Sequence, residues 1–158
     1  MKSPFDDLEI DKALVCEFFA TFMRFEYAMK ETSYCSAGAY DIARPDWKKF
    51  KSDFGDLVVE GDGCSKDIAY LVEKPPEIQQ YVDGRLRFSA VPLDGDSFGA
   101  RAIEAAKRVR NNLFHGGKHT RYSPPERDER LIRAALSVLE ICLEHDPALR
   151  AEFEHQLA

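Results

Sequence analysis

Long apolar runs are missing from this chain of 158 residues. No stretch approaches the roughly 20 residues needed to span a bilayer. The acidic start, with Asp6, Asp7, Glu9 and Asp11, also lacks the charged-then-apolar pattern of a secretion signal. Neither membrane insertion nor secretion is expected. Cysteine is scarce. The 4 residues, Cys16, Cys35, Cys64 and Cys142, include no C-x-x-C pair and no zinc-like spacing with histidine. They read as reduced thiols of a cytoplasmic protein, and no metal or other cofactor is expected. With only 8 Pro and 9 Gly, and no repeat or low-complexity tract, fibrous and disordered classes are excluded. What remains, 44% hydrophobic and 32% charged residues, suits one globular domain over residues 1–158 with a continuous core.

Positive charge is in deficit as well, and the net charge of -6 argues against a protein that coats nucleic acid nonspecifically. The deficit is uneven. Residues 101–121 carry Arg101, Lys107, Arg108, Arg110, Lys118 and Arg121 against Glu104 alone, which leaves that stretch at +5 and the remainder at -11. Two readings stand: an island that attracts one or a few phosphates, or a helix face salt-bridged to acidic neighbours.

Apolar spacing gives the elements. Leu14, Phe18, Phe22, Phe25 and Met29 recur at four, four, three and four, which predicts a helix from about residue 7 or 11 to residue 30. Beside that stripe lie Phe19, Met23, Glu26 and Lys30. Glu26 thus falls on the edge of an apolar face, either as a solvated flank or as a carboxylate facing a cation such as Arg110, His115 or the local Arg24. Trp47, Phe50 and Phe54 predict a short helix, with another over residues 65–73; Gly61-Asp62-Gly63 and Pro75-Pro76 mark breaks. Asp83-Gly84 followed by alternating Leu86-Arg87-Phe88 is compatible with a small hairpin within residues 81–91. Nothing in residues 33–96 has catalytic spacing, and Lys48, Lys49 and Lys51 read as a solvated face.

Ile103, Ala106, Val109 and Leu113 predict a helix from near Ser97, ended by Gly116 and Gly117. Ser123-Pro124-Pro125-Glu126 has the form of a capping box with Pro at the first helical position, and the helix it opens should run to about His145. Asp146-Pro147 then opens a last short helix.

The polar residues at the end of the helix before the glycines invite chemistry. Asn111 is four residues before His115 and shares its face, while Arg110 is offset from it by roughly 140° but has a long side chain. Together they offer a planar fork for phosphate, an amide and an imidazole able to exchange protons near neutral pH. The plain alternative is structural, because a cation and a glycine both suit a helix C-terminus.

Arg110-Asn111-Asn112-Leu113-Phe114-His115 resembles the R-x(4-6)-H signature of the HEPN superfamily, in which a polar residue, often Asn, directly follows the Arg. The early segment Phe22-Met23-Arg24-Phe25-Glu26-Tyr27-Ala28-Met29-Lys30, the Trp47-Lys48-Lys49-Phe50 segment and the long helix after the glycines are similar to one bacterial HEPN-like group. The resemblance implies an all-α HEPN-like helical bundle, with the small hairpin in its middle insert, that forms a homodimer and acts as a metal-independent endoribonuclease. His115 is then the general acid or base and Arg110 the group that stabilises the transferring phosphoryl. Asn111 holds the imidazole or the phosphate, and Glu26 tunes both. Arg101, Lys107, Arg108, Lys118 and Arg121 are the expected RNA contacts. The setting implied is a toxin or phage-defence effector, checked by an antitoxin or another regulatory partner. A noncatalytic module that binds RNA or nucleotide, or mediates assembly, is the rival. One departure stands out: HEPN toxins silenced by a nucleotidyltransferase antitoxin often carry Tyr two residues after the motif His, where this chain has Gly117. Modification at that position is not expected.

Overall fold

The computed structural model describes residues 3, 6, 8–58, 66–115 and 124–155. Asp11 caps the first helix, α1 (Lys12–Glu31), by accepting from the Ala13 N–H at 2.8 Å, so the helix opens at the later of the two expected starts. Its stripe of Leu14, Phe18, Phe22, Phe25 and Met29 is buried as the spacing requires. Next come two short antiparallel strands, β1 (Cys35–Ala37) and β2 (Ala43–Pro45), joined around a 3-10 turn at Ala39–Asp41. This hairpin was not expected. Three-residue strands are too short to show alternation, and the turn holds Tyr40 and Asp41 at φ 56° and 57°, which few non-glycine residues adopt.

The helix α2 (Trp47–Phe54) follows, capped by Asp46, and then α3 (Lys66–Glu73). The expected middle hairpin is β3 (Ile78–Val82) with β4 (Arg85–Ser89), Tyr81 standing opposite Leu86. Its two-residue turn has Asp83 and Gly84 at φ 51° and 74°, the left-handed pair that matches strand twist. Then come α4 (Phe98–Phe114), α5 (Pro125–His145) and α6 (Pro147–Glu154). The start of α5 departs from the expected capping box: Pro124 occupies the cap position and gives no side-chain bond, while Ser123 lies outside the described residues. Asp146 caps α6 as expected, accepting from Ala148 and Leu149. Among the described residues the fold is thus helix-dominated, with six α-helices and two small antiparallel sheets. None of those helices is long and apolar enough to cross a membrane.

The fold is arranged around α4, which touches α2, α3, α5 and β3. Close packing on several sides demands small side chains, and α4 buries Gly99, Ala100, Ala102, Ala105 and Ala106. Aromatic rings fill the space between α1 and α2: Phe25 meets Phe50 edge-on at 5.5 Å, and Phe50 stacks on Phe54 at 4.3 Å. Ser97 fastens the start of α4 to the end of α2, accepting from the Ala100 N–H at 3.1 Å and donating to the Gly55 carbonyl at 2.8 Å. Immediately beyond, a Cβ on Gly99 would overlap the Gly55 carbonyl oxygen and stand 2.9 Å from that of Val58. Both obstacles are backbone. Gly99→Ala is therefore expected to cost about 1–3 kcal/mol, as overpacking does, read as a lower midpoint in denaturant unfolding; an unchanged midpoint would mean that α4 can move away freely.

Candidate functional site

Side chains of α1 reach side chains near the end of α4, and the first residue of α2 joins them. Glu26 of α1 forms an ion pair with Arg110 of α4 through Oε1 and Nη2, both side chains half-buried. The same carboxylate oxygen accepts the Trp47 indole N–H at 3.3 Å. Arg110 is held on two further sides: Nη1 donates to the Asn111 Oδ1 at 2.9 Å, and the guanidinium carbon lies 5.3 Å from the centre of the Phe22 ring. Of the three partners weighed for Glu26, Arg110 takes it; Arg24 turns instead to the Phe153 ring, and His115 stands elsewhere on the same cleft.

Glu26, Arg110 and His115 line one open cleft of about 320 Å³. His115 is exposed at the end of α4, its backbone N–H bonded to the Asn111 carbonyl at 2.9 Å. Asn111 is also exposed, with its side-chain oxygen committed to Arg110 rather than turned to the imidazole. The cleft has an apolar rim. Phe19 and Phe114 meet edge-on at 5.0 Å while each remains substantially exposed, and Met23 is 56% exposed beside them. Phe19, Met23, Glu26 and Lys30, the flank stripe of α1, therefore all face this one space.

In comparisons with protein-family models, curated proteins and solved structures, none matches this chain. The chemistry of the cleft rests on its own geometry: a held guanidinium, an exposed imidazole and an apolar wall. Among the described residues no group of three or more His, Cys, Asp or Glu side chains could hold a metal ion.

The basic island does not form one surface. Arg108 is only 7% exposed and donates Nη1 to the Val91 carbonyl and Nη2 to the Pro92 carbonyl, each at 2.6 Å. Expected as an RNA contact, it is instead turned inward by those bonds, against the segment that leaves β4. Asn112, one turn on, is buried too and donates to the Glu77 carbonyl, just before β3, at 2.7 Å. Lys107 pairs with Glu104 at 3.1 Å, and Glu104 also takes Lys51 at 3.0 Å. Burial alone would raise the Glu104 pKa, but the Lys51 and Lys107 bonds outweigh it and hold the carboxyl below its ordinary value. Arg101 is half-buried on α4, and Lys118 and Arg121 lie outside the described residues.

Lys30, Trp47 and Phe114 were not singled out as site residues from sequence. Lys30 was legible as the next turn after Glu26 on the same flank; for Trp47 no spacing signal links it to α1.

Arg108 and Arg110 should separate cleanly on substitution. Arg108→Ala leaves two carbonyls without their charged donor and is expected to lower stability by about 2–3 kcal/mol. Arg110→Ala removes a part-exposed ion pair and should cost roughly 1 kcal/mol or less. Denaturant unfolding of the two variants in parallel checks this, and equal losses would contradict the assignment.

Proposed function

We propose that this chain is a HEPN-like endoribonuclease that cleaves RNA without a metal ion. The observation that carries the reading is that Arg110, Glu26 and His115, drawn from two helices, line one cleft. In the proposed reaction His115 acts as general base or acid. The ribose 2′-OH loses its proton, its oxygen attacks the adjacent phosphorus, and the bond to the 5′ oxygen breaks as that oxygen is protonated. The products are a 2′,3′-cyclic phosphate and a 5′-OH. Arg110 stabilises the charge that builds on the phosphoryl oxygens, and Glu26 and Asn111 keep its fork oriented. RNA rather than DNA is the substrate, because the nucleophile is the 2′-OH. Toxin or phage-defence activity in the cytoplasm, restrained by an antitoxin or another regulatory partner, is the setting that the resemblance suggests.

The rival reading is a noncatalytic module that binds RNA or nucleotide, or mediates assembly. On its side is the fact that Arg110 already has Glu26 and Asn111 as partners. Incubation of the purified protein with RNA in excess chelator separates the two. His115→Ala and Arg110→Ala are each expected to lower cleavage by roughly 10²–10⁴, the usual effect of losing one acid-base or charge-stabilising group. Cleavage equal to wild type in both variants, or activity that vanishes in chelator and returns with a divalent ion, would overturn the proposal.

The active unit in this reading is a two-fold homodimer whose motif helices line a shared cleft. In-line displacement wants a base on one side of the phosphorus and an acid on the other, and among the described residues one histidine lines the cleft of a single chain. Two copies would supply both. The exposed Phe19, Met23 and Phe114 give an apolar surface for the contact, which must bury at least about 1,000 Å² to be stable. Light scattering at micromolar concentration should return twice the chain mass, with specific activity falling on dilution. A monodisperse monomer with constant activity per chain would remove this arrangement.

A further inference from the structure

We propose that Trp47 is a positioning residue of this site: its indole N–H fixes the Glu26 carboxylate, and through it the guanidinium of Arg110. The geometry supports this at each link. The indole sits at the first position of α2, stacked on Phe25 at 6.1 Å and 12°, with Phe22 and Phe50 each at 5.7 Å. Three rings thus set its plane, and the Lys107 ammonium lies 5.6 Å from its centre. With the ring held, the N–H has one direction to point, and it reaches Oε1 of Glu26, the same oxygen that accepts from Arg110.

A glutamate on the flank of a helix has rotamers that would carry its carboxylate into water. A second donor on the same oxygen makes those rotamers less favourable, because a hydrogen bond to a charged group is stronger than a neutral one. Arg110 then meets a fixed acceptor. Its planar fork keeps one orientation, while its donors beyond those given to Glu26 and Asn111 stay available for an anion. The contribution to turnover rests on the nuclease reading above, but the linkage itself does not.

The chain contains 1 Trp, so nitrogen-15-labelled protein gives a single indole N–H resonance, which reports this contact directly. Glu26→Gln and Arg110→Ala are each expected to shift that resonance in the free protein. A 2′-deoxy oligonucleotide, which cannot be cleaved, should shift it in wild type and not in Arg110→Ala. An indole resonance that Glu26→Gln leaves unmoved would overturn the proposal whether or not the protein cleaves RNA. In turnover, Trp47→Phe keeps a ring in the stack and removes only the donor. It should lower kcat about ten-fold, the effect of losing one hydrogen bond to a charged group, with little change in KM. In a Glu26→Gln background the same substitution should add almost nothing, since both act through one contact. Full additivity of the two losses would show that Trp47 acts through packing alone, and would also overturn it. Absence of cleavage by wild type would defeat the nuclease reading and leave the resonance experiment to decide the role of Trp47.

Discussion

A carboxylate partly withdrawn from water needs hydrogen-bond donors in place of the water it has lost. At Glu26 those donors come from two other helices. Arg110 reaches it from α4 and Trp47 from α2, so one oxygen atom records the relative position of three elements. Everything that makes the cleft depends on that agreement. The flank of α1 supplies the carboxylate, the small residues of α4 let that helix sit deep among its neighbours, and the aromatic filling between α1 and α2 sets the plane of the indole. Any rearrangement that separated α1 from α4 would break the Glu26–Arg110 pair and take one of the two donors away from that oxygen.

Much of this was legible in the sequence because helices announce themselves by period. The stripe of α1, the bounds of α2, the Ser97 cap of α4 and the Asp146 cap of α6 all follow from apolar spacing and cap chemistry. Asp83-Gly84 foretold a two-residue turn for the same kind of reason, since few dipeptides accept two left-handed residues in a row. The first hairpin carried no such signal. Its strands are three residues long, and its turn opens with Tyr40 at positive φ, a residue type whose chemistry does not favour that conformation. The pairing of Glu26 with Arg110 was half legible: a carboxylate on an apolar flank needs a cation, but which cation depends on how the helices cross.

The basic island shows where linear reading fails. Residues two apart on a helix point about 200° apart. Arg108 and Arg110 are neighbours in a count of charges, yet the first enters the core to hold the root of the second hairpin and the second turns toward α1. Lys107 and Lys51 share Glu104, so part of the positive charge is neutralised within the fold. The salt-bridged alternative describes this part of the island, and among the described residues Arg110 and Lys30 are the Lys and Arg side chains that line the cleft.

The bonds from Arg108 and Asn112 have a mechanical meaning. They grip the chain on both sides of the β3–β4 hairpin, at Glu77 before it and at Val91 and Pro92 after it. Arg110 sits between these two residues in sequence and on the other side of the helix. The end of α4 is therefore laid out like an axle with a crank on each side. In this geometry a roll of the helix about its own axis would carry the guanidinium and the root of the hairpin in opposite directions. The hairpin, with Tyr81 and Leu86 exposed near its turn, is the outer arm of that axle.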